Sequence, residues 1–100
     1  MLAISTYNPR QHQQISFGKI VDIGSALPKR SESLIVEDCE VAPFQFRLER
    51  VDGERVSLVN CATESAVIGA DEIEANEERI FRLPFGFHCG RTDFHFFDPD

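Results

Sequence analysis

The sequence contains no tryptophan, one methionine and one tyrosine, so a large apolar core has to be built from aliphatic residues and from its nine phenylalanines. Phenylalanine rings suit the gap between two facing sheets, where bulky side chains of both layers interdigitate. Basic residues are also scarce. Ten Lys and Arg against seventeen Asp and Glu leave a net charge of −7. A surface of that sign repels a phosphate backbone, which argues against nucleic-acid binding. The imbalance is uneven: residues 1–35 hold Arg10, Lys19, Lys29 and Arg30 against Asp22 and Glu32, or +2, and residues 36–100 carry the remaining −9.

Cysteine is sparse and unpaired in pattern. Cys39, Cys61 and Cys89 are odd in number and contain no CxxC spacing, which argues against a disulfide framework and for a reducing, cytoplasmic setting. No apolar run approaches the roughly 20 residues that span a bilayer, and MLAISTYNPRQHQQ has neither the basic nor the apolar region of a signal peptide. The expectation is a single domain over residues 1–100 without direct membrane contact, the N-terminal module of a longer polypeptide continuing past the polar Asp98-Pro99-Asp100.

What is present is period-2 alternation, with no helical stripe. Leu2, Ile4 and Thr6 alternate before the turn signal Asn8-Pro9. Ile15, Phe17, Val21 and Ile23 fall on one face of what reads as one second strand, with Lys19 the exception. Ser25–Ser33 is a polar loop holding Pro28, and Leu34–Val36 a short strand. Phe44, Phe46 and Leu48 point one way and Gln45, Arg47 and Glu49 the other. Asp52-Gly53 then joins two alternating runs, a strong hairpin signal. Ala66–Ile68 is a short strand, Asp71–Glu78 an acidic loop and Arg79–Leu83 a strand. In the last hairpin a Gly90-Arg91 turn sets Phe87 opposite Phe94 and Phe85 opposite Phe96, cross-strand pairs worth roughly 0.2–1 kcal/mol each. Short strands at this spacing, with no intervening helix, predict an all-β sandwich or barrel.

The order of strands and turns resembles the forkhead-associated (FHA) domain, a β-sandwich whose loops at one end grip a phosphothreonine. The resemblance implies an all-β antiparallel sandwich of two sheets with about ten or eleven short strands. That family carries a Gly-Arg after an early strand, a Ser-Arg-x-His further on, and an Asn-Gly in a downstream loop. Here Val21-Asp22-Ile23-Gly24-Ser25 stands at the first motif, so the arginine is Ser25. Val41-Ala42-Pro43-Phe44-Gln45 stands at the second, with serine replaced by Ala42, arginine by Pro43 and histidine by Gln45. Thr63-Glu64-Ser65-Ala66 stands at the third, with Glu64 for asparagine and Ser65 for glycine. The resemblance rests on spacing and apolar pattern, and implies a phosphopeptide site whose gripping residues are substituted. Hydrogen bonds to a charged group contribute ~1.5–3 kcal/mol each, so losing three removes ~4–9 kcal/mol. A micromolar complex has only about 8 kcal/mol in total.

The function expected from this pattern is phosphorylation-independent docking of a protein partner, or of a neighbouring domain of the same polypeptide, in signalling or assembly. Its candidate surfaces are the loop end (Ser25–Ser33, Ala42–Gln45, Glu64–Ser65), the acidic Asp71–Glu78 and an exposed sheet edge, since a β-sandwich can accept an added strand. A first alternative is a residual phosphopeptide or anion reader through Lys29 and Arg30, and a second is a structural spacer. Catalysis, cofactors and metals are not expected. His88 and His95 share a face from which Cys89 points away, leaving two convergent ligands where zinc takes three or four. Cys39, Cys61 and Cys89 read as structural: a catalytic thiol needs a positioned base, Cys61 is near no histidine in sequence, and Cys89 alternates with the phenylalanines.

Overall fold

The computed structural model describes residues 1–100, and they form eleven β-strands with no helix. The strands are β1 (Leu2–Asn8), β2 (Gln11–Phe17), β3 (Ile20–Gly24), β4 (Ser33–Ile35), β5 (Phe46–Arg50) and β6 (Arg55–Asn60). They continue as β7 (Ala66–Ile68), β8 (Asp71–Ile73), β9 (Glu78–Arg82), β10 (Phe85–Cys89) and β11 (Thr92–Phe97). One layer runs β10-β11-β1-β2 and the other β4-β3-β5-β6-β9. The β7-β8 ribbon lies beside β10, joined through the Gly69 amide donating to the His88 carbonyl at 3.3 Å. All strand pairs are antiparallel except β3 with β4, which is parallel.

The two inner faces meet in one core. Leu2, Ile4, Phe17, Phe94 and Phe96 come from the first sheet, and Val21, Ile23, Leu34, Phe46, Leu48, Val56 and Leu58 from the second. Phenylalanine bridges the layers as expected: Phe46 meets Phe87 edge to face at 5.6 Å, and Phe81 stacks on Phe85 at 4.6 Å. The last hairpin has the predicted register, with Phe87 paired to Phe94 and Phe85 to Phe96. Gly90 sits in its turn at φ 61°, a conformation few residues other than glycine accept. The Asp52-Gly53 turn is also as read. The Asp52 carboxylate accepts from the Glu54 and Arg55 amides, each at 2.9 Å, and these bonds hold its pKa down at about 2.

Four expectations need correction. Residues 11–24 are two strands, β2 and β3, turning at Gly18-Lys19; Ile15 and Ile23 therefore lie in different layers. The polar Gln11-His12-Gln13-Gln14 run gave no apolar alternation, yet it pairs residue for residue with β1 across the Asn8–Gln11 turn. The acidic Asp71–Glu78 segment contains β8, anchored by the fully buried Ile73. Finally, the alternation read from Phe44 starts two residues too early: β5 begins at Phe46, Phe44 lies outside it and Gln45 is buried.

Candidate functional site

The loops that follow β3, β4, β6 and β10 gather at one end of the sandwich. Gly24 makes this possible, because it lies so close to the Pro43 carbonyl that an added Cβ would overlap it. The contact sets the two loops side by side. The Ser25 amide donates to the Ala42 carbonyl at 3.0 Å, the Ala26 amide to Pro43 at 3.2 Å, and the Ser25 hydroxyl to the Val41 carbonyl at 2.7 Å.

Beneath these loops lies a polar scaffold that the sequence reading missed. Asn60, fully buried at the end of β6, donates to the Glu64 carbonyl at 2.9 Å and the Ile73 carbonyl at 3.0 Å. Its Oδ1 accepts from Gln45 Nε2 and from the Ala62 amide, each at 3.1 Å. Gln45 Oε1 in turn accepts from the Ala42 amide at 2.9 Å. One asparagine and one glutamine thus tie together the Ala42, Glu64 and Ile73 segments, satisfying backbone groups that a loop would otherwise bury unpaired. The only available signal was an Asn ending the apolar run VSLVN, too common a pattern to single out.

A second buttress holds the opposite wall. Asp38 Oδ2 accepts from the Arg91 amide and the Thr92 hydroxyl, each at 2.7 Å, and Oδ1 from the Glu40 amide at 2.9 Å. Burial pushes the Asp38 pKa up, but the Glu40, Thr92 and Arg91 hydrogen bonds more than offset it, so the carboxyl sits below its ordinary value. Asn8 completes the network, donating to the Thr92 hydroxyl at 3.0 Å.

Between these walls is a depression of about 550 Å³. Ser25, Ala42, Pro43, Gln45, Glu64 and Ser65, scattered over forty residues of sequence, all line it. Lys29 and Arg30 do not; both are exposed in the loop between β3 and β4. The lining includes the acids Glu40 and Glu64 and no lysine or arginine. At the rim, Arg91 turns its Nε to Glu40 at 2.8 Å. Cys39 and Cys89 also line the wall, and burial, with the Asp38 charge adding, pushes the Cys89 thiol up to about 11. A thiol held that far above neutrality stays protonated and is a poor nucleophile.

His88 and His95 stand exposed on the outer face of the β10-β11 hairpin, and Cys89 points inward, as read. His88 Nδ1 lies 2.7 Å from Asp93 Oδ1, a pairing across the hairpin that raises the imidazole pKa.

No protein-family pattern matches this sequence, and no curated protein matches it either. Solved structures do match, over nearly the whole chain, and they show an all-β sandwich with the FHA fold. The FHA domain of the CT664 protein from Chlamydia trachomatis superposes with a TM-score of 0.72 at 11% identity, covering 99% of this chain and 98% of that one. The FhaA FHA domain, complexed with the intracellular domain of Rv3910, gives 0.70 at 10% identity, over 96% and 99%. The MEK1 FHA domain, in complex with a phosphothreonine peptide of HOP1, gives 0.63 at 10% identity, over 97% of each chain.

Proposed function

We propose that this domain is an FHA-type protein-interaction module whose loop end docks a protein partner, or a neighbouring domain of its own polypeptide, without phosphorylation. One observation carries the reading. The depression lined by Ser25, Ala42, Pro43, Gln45, Glu64 and Ser65, together with Glu40, presents two carboxylates and no lysine or arginine. A phosphate brings nearly two negative charges and three acceptor oxygens, and a site for it must replace its water with charged or amide donors. Three of the polar groups that could serve are already committed. The Ser25 hydroxyl is bonded to Val41, the Ala42 amide to Gln45 and the Ala62 amide to Asn60. The loops are thereby held in shape by the chain's own groups, which suits a preorganised docking surface.

Paired titration of phosphothreonine peptides and their unphosphorylated counterparts against the domain tests the reading. The expected result is no gain in affinity from the phosphate. A phosphate-dependent complex that disappears in a Lys29→Ala/Arg30→Ala variant would overturn it in favour of an anion reader.

A further inference from the structure

The first sheet ends at β2, whose outer side pairs with nothing in this chain. The register fixes which backbone groups are free. Asn8 pairs with Gln11 across a two-residue turn, so Gln11, Gln13, Ile15 and Phe17 bond to β1. The amides and carbonyls of His12, Gln14 and Ser16 therefore point outward.

Natural edge strands are usually blunted by charge, proline, a bulge or shortness. The edges at β4, β8 and β9 follow that practice, and the β7-β8 ribbon lies beside the edge at β10. β4 and β8 have three residues each, β8 with two acids, and β9 carries Glu78, Arg79 and Arg82. β2 is different: seven residues, no charge, no proline and no break in its register. It is also held in place, since Gln13 Nε2 donates to the Ile35 carbonyl at 3.1 Å and Gln11 Oε1 accepts from the Glu37 amide at 2.8 Å. Ile15 faces the sandwich interior opposite the fully buried Ile4, yet is 38% exposed. The core at this edge is open.

We propose that β2 is a homotypic pairing edge, and that its occupant is the β2 strand of a second copy, antiparallel about a two-fold axis through Gln14. The strand fits itself. In that register Gln14 opposes Gln14 and His12 opposes Ser16, so all three outward residues form hydrogen-bonded pairs, about six backbone bonds in all. Gln13 opposes Ile15 on the inner side and covers its exposed surface. Charge places the contact at this edge. Two copies at −7 each repel over most of their surface, and the uncharged β2 edge, in the segment that carries +2, is where they can approach. The interface is small, so the dimer is weak, forming from the high-micromolar to the millimolar range. Added salt strengthens it by screening the overall repulsion, the opposite of what an acid–base contact with a charged partner would show.

Sedimentation velocity of the whole chain over that concentration range, at low and high salt, tests the proposal. The expected result is a monomer–dimer equilibrium that salt favours. Gln14→Pro removes an amide that points away from β1, where proline is tolerated, and Gln14→Glu sets two carboxylates face to face. Both should abolish the dimer while the melting temperature stays near that of the wild type. A monomer at every concentration overturns the proposal, as would occur if a foreign strand were the true occupant. A dimer that survives both substitutions overturns it too, placing the contact elsewhere.

Discussion

Replacing Asn60 by alanine removes four hydrogen bonds at once: to the Glu64 and Ile73 carbonyls, and from Gln45 and the Ala62 amide. The side chain is fully buried, so water does not take over these groups. At a net ~1 kcal/mol per bond, with buried partners left unpaired, the expected loss is about 3–4 kcal/mol, near the upper end for a single substitution. For a domain of this size that lowers the melting temperature by about 12–20 °C. Urea denaturation at pH 7 measures it directly, with an unchanged m-value showing that the two states remain comparable. Gln45→Ala loses two of the bonds and should cost about 2 kcal/mol. Because the Gln45–Asn60 bond is shared, the double variant should fall short of additivity by about 1 kcal/mol. Asn60→Asp sharpens the reasoning. Its carboxylate would face the Glu64 and Ile73 carbonyl oxygens, which raises its folded pKa. Its penalty is therefore largest at neutral pH and shrinks, relative to wild type at the same pH, as acid protonates it. An Asn60→Ala loss below about 1 kcal/mol would refute the idea that this residue holds the loop end together.

Three further outcomes are expected. Thr6 is buried with its hydroxyl unpartnered, so Thr6→Val should raise stability by about 1 kcal/mol in the same denaturation assay; a loss of stability would count against it. Gly24→Ala places a methyl on the Pro43 carbonyl and should cost about 2 kcal/mol or more, with amide exchange quickened at Ser25 and Ala26, whose bonds to Ala42 and Pro43 depend on that approach. His88 should titrate above the ordinary histidine value of about 6.5 by NMR, chiefly through its hydrogen bond to Asp93. The raised pKa means that its small contribution is complete below that ordinary value and disappears as pH rises through the folded one. Asp93→Asn should return the titration to normal, and an unchanged value would show that Asp93 is not the cause.

The fold was legible wherever one face of a strand is buried and the other wet. Phe85 to Phe96 alternate strictly, and their register followed from a two-residue turn. It was not legible where burial is one-sided at an edge. β2 keeps only Phe17 fully covered, so Gln11–Gln14 carry no periodic signal although the backbone pairs fully with β1. β8 escaped notice because a single buried residue, Ile73, fixes it amid acids whose role is solvation. The loop-end positions Ser25, Ala42, Pro43, Gln45, Glu64 and Ser65 could be named from the resemblance to the FHA domain, and the strand order brings their loops to one end. Asn60 could not. Its importance lies in hydrogen bonds to the Gln45 side chain and the Ile73 backbone, fifteen and thirteen residues away, and such partners exist only once the strands have assembled.

The account depends most on the claim that the depression, lined by Glu40 and Glu64 and by no lysine or arginine, does not hold a phosphate. Two-dimensional amide NMR with a phosphothreonine peptide pool reads this at single residues. The Ser25, Ala42, Ala62 and Glu64 signals should stay in place when the phosphorylated pool replaces the unphosphorylated one. Saturable shifts at those four amides, seen only with the phosphorylated peptides, would contradict it.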